Sequence, residues 1–101
     1  MGASNENQQW AAHTWLVELL EWSGWTFTAD VLPQLAIKGI TFQDLQYVLR
    51  HADEFDAEIE YGICFFTAVG STLDDRVCVV RGSLESAQDN VWIDSVDLWE
   101  R

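Results

Sequence analysis

The sequence predicts an α+β domain in which about three N-terminal helices precede an antiparallel sheet of three to four strands. Apolar residues follow a helical period as far as about Ala52 and alternate with polar residues after it. Helices followed by consecutive strands with short turns are typical of an antiparallel sheet that carries helices on one face. A length of 101 residues suits a single domain, 1–101, of which residues 1–6 are predicted to be flexible because they are small and polar.

The first predicted helix runs from Gln8 to Ser23, and Gly24 is expected to end it in a left-handed conformation. Its apolar arc is unusually wide for a helix of a small domain. These side chains either fill a thin core or form a homodimer or partner interface, because tryptophan is enriched at binding hot spots. The candidate interface residues are Trp10, Trp15, Leu19 and Trp22.

A second helix is predicted from Ala29 to Lys38, with Thr28 as its N-cap and Gly39 as the residue that ends it. Pro33 lies deep in this segment, so the helix is expected to be kinked or to start late.

Thr41 and Asp44 form a capping-box pattern that predicts the start of a third helix. The later segments 58–69, 76–82 and 91–99 contain the alternation expected of strands, and short polar connections separate them.

The charge balance restricts the function classes. Seventeen acidic residues against five basic ones give a formal net charge of -12, yet 49% of the chain is hydrophobic and it contains six tryptophans, so we expect a folded core. Too few cationic side chains are present to neutralise phosphates, which argues against direct nucleic-acid binding. An anionic membrane surface would repel the chain. We therefore expect a soluble, cytoplasmic protein that binds neither nucleic acid nor membrane.

The acidic residues concentrate between the third helix and the first long strand. Five of them fall within residues 53–60 and form a candidate partner-binding surface: Asp53, Glu54, Asp56, Glu58 and Glu60. Such a surface favours fast association with a basic protein partner. Two alternatives remain open at this point: a solvated run that protects a strand edge from pairing, and a site for a divalent cation. The run lacks the spacing of a calcium-binding loop.

No pattern in the chain indicates catalysis, a cofactor or a metal site. Cys64 and Cys78 are expected to be buried, reduced thiols. With His13 and His51 they amount to four candidate metal ligands, but no pair of them has the spacing of a zinc site. We predict no catalytic residues, no metal and no cofactor, and hence no enzyme.

A resemblance to a known family begins at the step Lys38–Thr41, which leads into FQDLQYVLRHAD and later into STLDDRVCVVRGSL. Over residues 28–99 the order of elements resembles the RelE/MqsR-like microbial toxin fold and the uncharacterised small domains grouped with it. The resemblance implies a shared fold, and the family's toxins cut RNA with a basic active face. Here Asp30 and Gln34 stand where such domains often place His and Arg, and only Lys38 is basic. The resemblance therefore implies the fold without the nuclease.

The sequence thus favours a non-enzymatic, acidic binding or inhibitory protein that docks a basic protein partner. One alternative is a homodimeric accessory domain of unknown ligand, of the small acidic kind common on mobile genetic elements. The third interpretation is a residual RelE-like ribonuclease.

Overall fold

The computed structural model describes residues 2–22, 24–85 and 88–99, with side chains from Trp10 onward except those of Trp22, Gln88 and Asp89. These residues form three helices, namely α1 (Gly2–Trp22), α2 (Val31–Lys38) and α3 (Phe42–Arg50). They also form five strands, namely β1 (Trp25–Phe27), β2 (Glu54–Glu60), β3 (Ile63–Ser71), β4 (Val77–Glu85) and β5 (Gln88–Trp99). No helix within these ranges is long and apolar enough to cross a bilayer.

The described sheet is mixed and has five strands, so the prediction of a purely antiparallel sheet of three to four strands is wrong. The described strands lie in the order β1-β5-β4-β3-β2, and β1 runs parallel to β5 while the other neighbours are antiparallel. β1 lies between α1 and α2, so the helices do not all precede the strands. Three residues are too few to show an alternating pattern, which is why the sequence did not reveal this strand.

The segment 58–69, predicted as one strand, belongs to a hairpin whose turn is Tyr61-Gly62. Both turn residues are left-handed, with φ of 53° and 79°, as a two-residue turn of type I′ requires. Tyrosine gives no turn signal in the sequence, and the alternation continues across it. Ile59 and Phe65, which a single strand over 58–69 would place on one face, consequently lie on opposite faces of the sheet, because Phe65 pairs with Glu58.

The α1 helix begins at Gly2, six residues before the predicted start at Gln8. The expectation that residues 1–6 are flexible stays a prediction. Gly24 does not have the left-handed conformation predicted for it. Its carbonyl accepts a 3.4 Å hydrogen bond from the Val91 amide and leads into β1, so strand pairing decides its conformation.

The α2 helix starts late, at Val31, with Asp30 in place of Thr28 as its N-cap. Pro33 therefore falls in the first turn, where a missing N–H removes no helical hydrogen bond. Gly39 ends the helix with a φ of 66°, as predicted.

All three helices pack on one face of the sheet and form a single core with it. Leu16 of α1 and Leu45 and Leu49 of α3 are completely buried in this core. Each such side chain contributes about 1.5–3 kcal/mol through the apolar area that it removes from water. We call the opposite face, which no described helix covers, the outer face.

A β-bulge interrupts the pairing of β4 with β5. The register shifts between Arg81 and Gly82, so that Asp94 has no partner residue on β4. Gly82 is required here, because a Cβ atom at this position would lie 2.0 Å from the backbone oxygen of Trp92.

Asp44 fastens α3 to the turn between β3 and β4. Its carboxylate accepts hydrogen bonds from the Thr41 amide and hydroxyl, both at 3.0 Å, and the Thr41 hydroxyl accepts one from the Asp44 amide at 3.1 Å. This is the predicted capping box. The second carboxylate oxygen accepts a 3.1 Å hydrogen bond from the Leu73 amide in the turn. One buried side chain thus caps a helix and holds a hairpin.

Arg76 fastens the same turn to α2. Its two terminal nitrogens donate 2.8 Å hydrogen bonds to the carbonyl oxygens of Lys38 and Gly39. Carbonyl groups at a helix C-terminus lack helical partners and carry partial negative charge, so a guanidinium there stabilises the helix end. Asp74 pairs with Arg76 at 2.8 Å and holds it in place.

We expect Asp44→Ala to lower the free energy of unfolding by about 1–3 kcal/mol, because it leaves the Thr41 and Leu73 amides without their buried acceptor. Asp30→Ala is the matched control, since Asp30 is an N-cap aspartate that makes no capping hydrogen bond. Its effect should stay within about 0.5 kcal/mol. Urea unfolding measures both variants, and equal losses would contradict the role of Asp44.

Candidate functional site

The five carboxylates predicted to form a partner-binding surface are all exposed. The predicted strand 58–69 contained only Glu58 and Glu60 of the five, whereas the structure places all but Asp53 in β2, the edge strand of the sheet. The even positions of β2 point to the outer face, and neighbours among them are about 6.6–6.8 Å apart along the strand. We call these four residues the acidic row: Glu54, Asp56, Glu58 and Glu60.

The lysine and arginine side chains in the described part of the chain form ion pairs with carboxylates outside β2. Four ion pairs join described side chains: Lys38–Asp97, Arg50–Glu21, Arg76–Asp74 and Arg81–Asp97. None of them includes Glu54, Glu58 or Glu60. Within the described part of the chain, the charge of these three carboxylates is therefore not neutralised by an ion pair.

A shallow groove of about 1170 Å³ lies beside the acidic row on the outer face. Its floor contains Phe65, Thr67, Arg81 and Ser95, which follow one another across β3, β4 and β5. Phe65, opposite Glu58, is 44% exposed. No pattern in the sequence indicates these floor residues, because the strand register decides which residues share a face.

The tip of the hairpin presents apolar surface beside the acidic row. Tyr61 is fully exposed although its φ is positive, an unusual position for an aromatic residue. Ile59, on the helix side of β2, is 68% exposed. Two exposed apolar side chains thus lie beside the acidic row.

The candidate interface residues of α1 lie in different environments. Trp10 is 62% exposed, whereas Trp15 is partly buried against the core. Leu19 is only 6% exposed and belongs to the core of this chain, so its side chain is not available to a second copy. The helical period did not reveal this, because it does not show which side of a wide apolar arc faces the sheet. The side chain of Trp22 lies outside the described residues.

The cysteine and histidine side chains are separated in the fold. Cys64 pairs with Leu84, and Cys78 pairs with Gly70. The two cysteines are thus offset by six residues on adjacent strands, about 20 Å, which is too far for a disulfide. The Nε2 atom of His13 is 2.8 Å from the Leu49 carbonyl oxygen, to which it donates. Among the described residues, no group of three or more His, Cys, Asp or Glu is arranged to hold a metal ion.

Carboxylates line both sides of the groove, those of Asp56, Glu58 and Glu60 on β2 and that of Asp94 at the bulge of β5. Asp56 and Asp94 lie nearly opposite each other in the strand register. Burial raises the pKa of the Asp94 carboxyl. A raised pKa suits a general acid, but three interstrand spacings separate the two residues, about 14 Å between their strands. Carboxylate pairs that hydrolyse glycosides are roughly 5–9.5 Å apart. The groove therefore does not have the geometry of that catalytic pair.

Neither a family model nor a curated protein nor a solved structure matches this chain. The resemblance of residues 28–99 to the RelE/MqsR-like fold therefore stays a prediction. The acidic row and the groove beside it are the features from which a function is argued.

Burial raises the pKa of the Cys78 thiol to about 11, from an ordinary value of 9.0, with a further contribution from the nearby Asp44 carboxylate. In the unfolded chain the thiol ionises from about pH 9, whereas in the folded chain it stays protonated to about pH 11. Ionisation of Cys78 should therefore lower the free energy of unfolding by about 2–3 kcal/mol as the pH rises from about 9 to about 11.

The loss is measured by urea unfolding of the native protein and of Cys78→Ala between pH 8 and 11. The difference between their free energies of unfolding should shrink as the pH rises. The ionisation of other groups affects both proteins alike and therefore cancels in this difference. Parallel pH curves would show that the Cys78 thiol is not shifted.

Tyr61 holds a left-handed backbone conformation that asparagine adopts more easily. Tyr61→Asn should raise the free energy of unfolding by roughly 0.5–1 kcal/mol. Tyr61→Phe is the control, because it keeps the backbone preference and should leave stability unchanged. A stability loss in Tyr61→Asn, measured by thermal unfolding, would show that the exposed ring stabilises the hairpin.

Proposed function

We propose that this chain is a non-enzymatic binding protein that docks a basic protein partner through its acidic row and the adjoining groove. One observation carries the proposal: Glu54, Glu58 and Glu60 are exposed, aligned and absent from the ion pairs of the described residues. No cation of the described residues forms an ion pair with these three carboxylates, and a basic partner can supply one.

The arrangement favours recognition over mere solubility. Like charges at alternate positions of one strand repel each other, and a protein that needs only solubility can distribute its acids more evenly. Here an apolar ring, Phe65, and a guanidinium, Arg81, lie beside the row in the same groove. A partner with lysine or arginine around an apolar contact complements this surface.

Among the described residues no histidine lies beside the hydroxyl groups of the groove, which favours a binding role over an enzymatic one. Its hydroxyl groups belong to Thr67 and Ser95, and nucleophilic catalysis would require a base beside one of them. His13 binds the Leu49 carbonyl, and His51 packs against Tyr47 with ring centroids 4.8 Å apart. Both histidines are thus engaged on the helix side of the sheet.

Charge neutralisation at the row tests the proposal, with immobilised polylysine as the basic probe. The double variant Glu54→Gln/Glu58→Gln should weaken binding by roughly two- to thirtyfold at low salt, because each exposed charge pair contributes about 0.2–1 kcal/mol. Binding of the native protein should fall steeply as salt rises.

The matched control is Glu18→Gln/Asp30→Asn, which removes the same charge from exposed positions of the helical layer. It should bind polylysine nearly as the native protein does. Equal weakening in the two double variants would mean that net charge alone drives binding and would overturn the proposal.

A further inference from the structure

Along one side of β2 the backbone hydrogen-bonding groups have no neighbouring strand. β2 ends the sheet order and pairs only with β3 among the described strands. The pair next to a two-residue turn, Glu60 with Ile63, exchanges hydrogen bonds, and hydrogen-bonded and open pairs then alternate. The amide and carbonyl groups of Phe55, Ala57 and Ile59 therefore point away from β3.

The opposite edge of the sheet is formed by β1, which has only three residues, and by the part of β5 that β1 does not pair with. β1 covers residues 91–93 of β5, and the Thr28 amide donates a 3.1 Å hydrogen bond to the Ile93 carbonyl. Farther along β5, the Lys38 ammonium donates a 2.8 Å hydrogen bond to the Val96 carbonyl. Of the two sheet edges in the described structure, β2 is thus the longer continuous one, with seven residues against the three of β1, and offers more backbone groups to an added strand.

We propose that the basic partner binds by strand addition, with an extended segment lying along β2 and continuing the sheet. The segment carries lysine or arginine at every second position, facing the acidic row on the outer face. Its other side chains are apolar, because they lie beside Ile59, which is 68% exposed. This inference rests on the proposed function and specifies its binding mode.

The charge of the acidic row determines which kind of strand can bind along β2. In an added strand, the side chains opposite the acidic row have Cβ atoms about 4.5–5.5 Å from those of the row. Opposite charges at that distance are favourable, whereas a second copy of β2 would place carboxylates against carboxylates. The acidic row therefore disfavours self-pairing and favours a basic strand at the same backbone groups.

Two peptides of equal composition test the inference, one with lysine and valine in alternation and one with the lysines contiguous. The alternating peptide should bind more tightly, by roughly two- to fivefold for each lysine that the other peptide misplaces. N-methylation of the alternating peptide at its bonding amides should weaken binding roughly fivefold for each hydrogen bond lost, while leaving its charge unchanged. Isothermal titration calorimetry at moderate salt measures all three.

Amide hydrogen exchange by NMR locates the contact on the full chain. Binding of the alternating peptide should slow exchange at Phe55, Ala57 and Ile59. The amides of Asp56 and Glu58, which already bond to β3, are internal controls and should change little. Self-pairing would protect the same three amides without peptide as the protein concentration rises, and that result would overturn the inference.

The remaining outcomes separate the two proposals. If neutralising the row weakens both peptides alike, N-methylation has no effect and the three amides stay unprotected, the row binds basic partners through its face. Strand addition is then wrong while the proposed function stands. If the row variant and the helical-layer control behave alike, both proposals fail.

Discussion

The carboxylate of Asp44 accepts hydrogen bonds from the start of α3 and from the turn between β3 and β4, and the positions of the other elements depend on this link. Arg76, in the same turn, binds the carbonyl groups that end α2. The junction of the two short helices is therefore fixed to the central hairpin. Helices of eight and nine residues are not stable alone, so this attachment and their buried leucines hold them on the sheet. This attachment holds both helices on the same face of the sheet, so the outer face stays uncovered by them.

The sequence predicted elements whose signals are local. The capping box of α3 and the left-handed Gly39 were found because each depends on a few neighbouring residues. β1 was missed because its three residues form a strand only by pairing with β5. The turn at Tyr61 was missed because tyrosine rarely adopts a left-handed conformation. In each case the missing information was which strands pair in the folded protein, and the local sequence does not show this.

The candidate site was predictable in its composition but not in its shape. The concentration of acids at residues 53–60 is visible in the sequence, and so is the scarcity of basic residues. Their alignment on one face of an edge strand follows from the hairpin, which the alternation concealed. The groove floor, which includes Arg81, depends on the register of three strands. Leu19 shows the same limit, because only packing against the sheet assigns it to the core.

The bulge at Asp94 affects the curvature of the outer face but not the charge of the acidic row. Bulges bend and twist a sheet, so the curvature of the outer face depends on β4 and β5, where Gly82 permits the close approach of the Trp92 backbone. The charge of the acidic row belongs to β2, which is three strand positions from β5 in the sheet. The curvature of the outer face and the charge of the acidic row therefore depend on different segments of the chain. Substitutions in β2 can change which molecules the surface attracts while the groove that receives them keeps its form.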